Sequence, residues 1–280
     1  MGLGTETWCR HCGNFGKMTD EHVPPRSTEN QQPVGSIDDP FGTYSIVREV
    51  AEWDEGHVVK SLDLECNGRA SRWGYVREYR GWYELFRSAA IEKAKITKVD
   101  PLRGDQPFEL DLPYNVHPAR FVRQVVGMFL AVQQTRDLID GYLSLGQLIG
   151  PEASSLHDRR KEGVDIAPLS ISMSVCNGRW SYTKRPMSTV EMEIRKIFET
   201  NVTDAQYQSN MTETSVLSLA PFAFVLTTGK SQGLGYEITE WTKWPVDRRP
   251  SKSSRMLRIP TADRLSGGLN ALIYPEGLLR

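Results

Sequence analysis

The chain has little cysteine, no strong charge of either sign and no long apolar run. Only four cysteines, Cys9, Cys12, Cys66 and Cys176, occur in 280 residues. No positively charged segment leads into an apolar stretch near Met1, so an export signal is not expected. Without export a disulfide framework has no oxidising compartment, and metal binding is the better use for the thiols. No apolar run reaches the roughly 18 residues that cross a bilayer, so no membrane partner is expected and the expected location is cytoplasmic. Lys and Arg number 34 against 35 Asp and Glu, a net charge of −1. That balance argues against a protein that coats nucleic acid over its whole surface, but it leaves room for a local basic footprint. Between Asn67 and Lys98 eight Lys/Arg face three acids.

With 39% apolar and 25% charged residues, the composition is that of a globular protein long enough for one large or two modest domains. Residues 1–25 read as a short knuckle running into a strand that ends at Pro24-Pro25. Residues 26–45 are polar and rich in turn formers, which predicts a loop. Strands are expected around Ser45–Glu52 and His57–Leu64. From Gly74 to Ile96, Val76, Tyr79, Tyr83, Phe86 and Ala90 recur at helical spacing, the signature of a long amphipathic helix. Val99–Pro113, with four prolines and glycines, is the expected boundary between a segment 1–100 and a segment 101–280. Beyond it, Phe121, Val125, Phe129 and Val132 form one apolar stripe, with Pro118 suited to a first helical turn. Asn177-Gly178 between two alternating runs predicts a β-hairpin. Ser188 and Glu191 stand in capping-box spacing before a further helix. "SVLSLAPFAFVLTT" and "YEITEWTKW" read as strands, so 101–280 is expected to be a mixed α+β domain with antiparallel strands.

The chemistry lies in the first segment. Gly13, Asn14 and Gly16 follow Cys9-x-x-Cys12, turn formers that suit a metal knuckle better than a redox motif at a helix start. "TDEHVPP" places Glu21-His22 ahead of two prolines, and "LDLECNGRAS" places Asn67 directly after Cys66. In combination these segments resemble the HNH family of ββα-metal endonucleases over about residues 7–87. The resemblance implies an α+β chain whose residues 1–100 are a ββα-metal domain with a zinc knuckle. It implies His22 as the general base, Glu21 and Asn67 as ligands of one catalytic Mg²⁺ or Mn²⁺, and Arg69 or Arg72 as the phosphate contact. It also implies a structural zinc on Cys9, Cys12, Asp63 and Cys66, with His11 competing for the fourth place. The sequence departs from the family pattern twice. Asp63 stands where the second knuckle ordinarily has a cysteine, and no Asn lies between Asn30 and Asn67, which leaves His57 or a backbone carbonyl to orient the base.

The residue types suit that chemistry. Hydrolysis of a phosphodiester needs a proton removed from water near neutral pH, and an imidazole with an ordinary pKa of about 6.5 can accept it. The departing oxygen gathers negative charge, which a hard cation on oxygen ligands neutralises. Successive strand residues point to opposite faces, so Glu21 and His22 must sit at a strand end or twist to serve one site. The expected activity is metal-dependent cleavage of nucleic acid, double-stranded DNA foremost, in defence against foreign DNA, by a homo-oligomer or within a larger defence complex. The alternative is a zinc-knuckle nucleic-acid-binding module without catalysis, or a subunit of an assembly.

Overall fold

The computed structural model describes residues 6–28, 30, 34–37, 50–53, 57–98, 100–102, 107–113, 115–133, 135–149, 163–176, 180–182, 187–188, 213–229, 235–246, 255–261 and 270–273. The chain begins with three short strands, β1 (Glu6–Trp8), β2 (Phe15–Lys17) and β3 (Thr19–His22). After β4 (Val34–Ile37), β5 (Val50–Trp53) and β6 (Val58–Leu62) come two helices, α1 (Leu64–Arg72) and α2 (Tyr75–Thr97). β7 (Phe108–Leu112) leads to α3 (Pro118–Val132), α4 (Asp137–Gly141) and α5 (Leu143–Ile149). Further strands follow among the described residues: β8 (Leu169–Val175), β9 (Trp180–Tyr182), β10 (Met187–Ser188), β11 (Glu213–Leu219), β12 (Phe222–Thr228) and β13 (Tyr236–Glu237), then β14 (Arg255–Ile259) and β15 (Asn270–Ile273). A 3₁₀ turn spans Thr239–Lys243. The fold is mixed α+β with antiparallel pairing throughout its named ladders.

Local sequence explains the elements that matter most. In β8, Leu169, Ile171, Met173 and Val175 belong to the core while Ser170, Ser172 and Ser174 alternate with them, and all seven residues are buried. α2 buries Tyr79, Trp82, Tyr83, Phe86 and Ala90 at spacings of three and four. α3 begins with Pro118 at its first turn and is buried on nearly every side. Trp82 stacks on Phe121 at 4.5 Å between ring centroids, and Phe222 meets Phe86 edge-on at 4.8 Å. α2, α3 and β12 thus share one aromatic core.

Asn177-Gly178 lies outside the described residues, but the strands on either side of it differ from expectation. β8 and β9 are not partners, because the nine-stranded sheet runs β13-β8-β12-β11-β9-β15-β4-β5, with β10 beside β11. β8 gives its edge to β12 over seven residue pairs from Val175↔Phe222 to Leu169↔Thr228. Seven fully buried residues pair better with another long buried strand than with three-residue β9, and this outweighs the local turn signal. β4 lies inside the stretch expected to be loop, β7 inside the expected break at Val99–Pro113, and only Tyr236–Glu237 of "YEITEWTKW" is strand. The helix expected after Ser188 and the polar segment around His157 lie outside the described residues. Residue 100 marks no gap in sheet or core: β4 and β5 pair into the large sheet through β15, and Tyr79 and Phe86 share their core with Phe222.

Candidate metal centre and catalytic site

The knuckle is built from three elements. The turn between β1 and β2 carries Cys9 and Cys12, closed by Cys9 N–H donating to Asn14 O at 2.8 Å and Gly13 N–H to Cys9 O at 3.0 Å. The start of α1 supplies Asp63 and Cys66. The four ligand atoms of Cys9, Cys12, Asp63 and Cys66 lie within 4.8 Å of one another. Donors around one tetrahedral ion stand roughly 3.8 Å apart when metal–sulfur bonds are about 2.3 Å, so these four could hold a metal ion after shifts of no more than about an ångström. Cys176 is elsewhere, buried with its thiol against Ser218 and Phe222 O.

Asp63 is the fourth member of this group. Its Oδ1 accepts from Cys66 N at 2.8 Å, capping α1, and its Oδ2 accepts from Cys12 Sγ at 3.0 Å. Burial opposes its ionisation, but these bonds prevail and hold its carboxyl below the usual range. The Cys66 thiol donates to Cys9, which brings Cys9 down to about 5, while burial and the bond to Asp63 push Cys12 up to about 11.

His11, expected to compete for the fourth place, is not in this group of four. It is buried, its Nε2 is 3.4 Å from Gly127 O on α3, and burial pushes its pKa down to about 4. Arg136, just before α4, donates from Nη1 to Cys9 O at 2.8 Å and pairs through Nη2 with Asp140 at 2.8 Å. Gly13 has φ +76°, and a Cβ there would lie 2.7 Å from Arg136 Nη1. The positive φ is what favours glycine here, since the guanidinium packed over it is the far end of a flexible side chain that can shift. These contacts fasten the knuckle to the α3–α4 region.

Glu21 and His22 are the last two residues of β3, opposite Val59 and Val58 of β6, with an irregularity in pairing between Thr19 and Asp20. The irregularity lies before Glu21, and Glu21 and His22 pair with consecutive residues of β6, so the strand end at His22 is the feature that frees its side chain from strict alternation. α1 follows β6 after the single residue Asp63, so β3, β6 and α1 form a β-β-α unit. Within it, Asn67 donates through Nδ2 to Thr19 Oγ1 and to Asp20 O, each at 2.9 Å. Both amide hydrogens are spent on β3, which leaves the Asn67 carbonyl oxygen as the atom able to serve a cation. Glu21 is largely buried, and desolvation pushes its carboxyl up to about 7.

Arg69 does not stand with Asn67. Two residues on, it lies about 200° round the helix, 7% exposed, over the Trp73 ring at 5.4 Å and 3.8 Å from Glu65. Its Nη1 is buried without a hydrogen-bond partner. Arg72 is exposed and paired with Glu65 at 2.6 Å.

Sequence reasoning passed over Asn30. Fully buried, it donates from Nδ2 to Pro24 O at 2.6 Å and His57 O at 3.0 Å, and its Oδ1 accepts from His57 N at 2.6 Å. His57 Nδ1 is 3.0 Å from Val23 O. Asn30 and His57 thereby lock the chain leaving His22 onto the start of β6. No family model, curated protein or solved structure matches the chain. The chemistry of the site stands on its own residues.

Proposed function

We propose that the chain is a metal-dependent endonuclease of the ββα-metal type that hydrolyses phosphodiester bonds in DNA, acting in defence against foreign DNA. The observation that carries this reading is the tie from Asn67 on α1 to Thr19 and Asp20, which sets an amide oxygen beside the strand that ends in Glu21-His22. Zinc on Cys9, Cys12, Asp63 and Cys66 would fix the start of α1, with three soft thiolates and one carboxylate as ligands. Glu21 and Asn67 would hold the catalytic Mg²⁺ or Mn²⁺. That ion, when bound, supplies positive charge against the oxygen that departs. His22 takes the proton from a water whose oxygen attacks phosphorus, and the bond from phosphorus to the leaving oxygen breaks. Asn30 and His57 position His22 by fixing the backbone that follows it.

Purified protein with Mn²⁺ or Mg²⁺ is expected to nick or cut plasmid DNA, and His22→Ala to lower the rate at least about 100-fold while circular dichroism stays unchanged. Unaltered cutting by that variant would remove the mechanism. The burial of Arg69 favours a second reading, a zinc-knuckle nucleic-acid-binding module without catalysis. Bound zinc and DNA binding without cleavage in either ion would support it.

A further inference from the structure

Three of the six exposed large apolar side chains among the described residues stand on elements that meet at the knuckle: Trp8, Phe15 and Leu64, 55%, 58% and 76% exposed. Trp8 and Phe15 are direct cross-strand partners on β1 and β2, edge-to-face with ring centroids 5.2 Å apart. Neither belongs to the small core of the knuckle, which consists of Cys9, Met18, Leu62 and Cys66 with Cys12 against it. Two large rings are thus held in register by a hairpin and turned toward solvent. Lys17 lies on the same face, two residues past Phe15, and Arg10 follows Trp8 by two residues, close enough to Arg136 for their charges to repel. Glu6 is the single acid on the hairpin.

We propose that Trp8 and Phe15 form a stacking platform for unpaired bases of the DNA brought to the Glu21, His22 and Asn67 site, so that the substrate is DNA with a single-stranded or opened segment. The proposal rests on the nuclease reading and names its substrate class. Aromatic faces next to cations match what an unpaired nucleotide presents, a flat ring on a phosphate. Stacked bases inside an intact duplex offer no free face, so the platform selects for opened strands. A second protein copy is a poorer occupant. A stable dimer buries about 800 Å² per partner, while two half-exposed rings offer on the order of 200 Å². Leu64, also exposed, begins α1 three residues before Asn67 and so lies on nearly the same helix face as that residue.

The test is fluorescence anisotropy with a labelled single-stranded 20-mer and a blunt duplex of the same sequence, in Ca²⁺ to prevent cleavage, on the full chain. Trp8→Ala and Phe15→Ala should each weaken single-strand binding about 5- to 150-fold, change duplex binding less than about twofold and retain the wild-type zinc content. Trp8→Phe should restore most of the loss. Wild-type single-strand affinity in both alanine variants, or equal losses on both probes, overturns the platform. So does a concentration-dependent dimer that Trp8→Ala dissolves. Selective loss in a protein that cuts nothing would keep the platform and remove the nuclease reading, whereas cutting that depends on His22 with indifferent Trp8 and Phe15 variants would do the reverse.

Discussion

Asp63 serves two ends with one carboxylate: Oδ1 caps α1 at Cys66 N, while Oδ2 faces Cys12. The two roles separate by substitution. Asp63→Asn keeps a good capping oxygen but removes the anionic ligand, so zinc affinity measured by chelator competition should fall on the order of 100-fold with little loss of apo stability. Asp63→Ala should lose the same affinity and, in addition, about 1 kcal/mol of stability in urea denaturation. Glu21 gives a pH signature. Its folded pKa of about 7 lies above the ordinary value of 4.5, so the folded apo protein binds more protons than the unfolded chain between those values. Apo stability therefore falls as pH rises through that window. Binding of Mn²⁺ requires the carboxylate, so affinity from calorimetry should gain about tenfold per pH unit below pH 7 and level off above it. Glu21→Gln should flatten that slope.

At the scale of elements, β3, β6 and α1 form a unit although 35 residues separate the ends of the two strands, His22 and Val58. Asn30 closes this long excursion by bonding both of its ends. Asn30→Ala leaves His57 N–H and Pro24 O buried without that partner, and should cost about 2–3 kcal/mol in denaturation and slow cleavage while zinc content holds. The sequence made α2 legible to within a residue, since its aromatic spacing is set by its own buried face. α3 was legible in the same way, with Pro118 marking its start. The group Cys9, Cys12, Asp63 and Cys66 was legible from its spacing, and the structure brings its ligand atoms together. Asn30 was not, because in a polar turn-rich run a buried clamp has the same composition as a solvated loop. The partner of β8 was also hidden: seven alternating residues mark a strand, but not which distant strand covers its edge.

Over the whole molecule, the segments on either side of residue 100 share one core. Trp82 and Phe86 of α2 pack with Phe121 and Phe222, and His11 and Arg136 carry the knuckle onto α3 and α4. A composition break could suggest a boundary near Pro101, but side chains that meet across more than 100 residues leave no local mark in sequence. Phe121→Ala should cost about 3–5 kcal/mol. Because the knuckle is fastened to this core, zinc release and loss of the near-ultraviolet signal should occur in one coincident transition, shifted together by the substitution. Separate transitions would mean that the knuckle is held independently.

In the proposed nuclease a hard ion would sit on the β-β-α unit at Glu21 and Asn67, and zinc would sit between the start of α1 and the β1–β2 turn. Anomalous diffraction at the zinc and manganese edges from crystals grown with Mn²⁺ locates both directly. The expected result is a zinc peak about 2.3 Å from Cys9, Cys12 and Cys66 Sγ, and a manganese peak about 2.2 Å from oxygens of Glu21 and Asn67 with His22 facing the same space. A crystal with no manganese shared by Glu21 and Asn67, or with His22 turned away from it, would contradict the proposed mechanism.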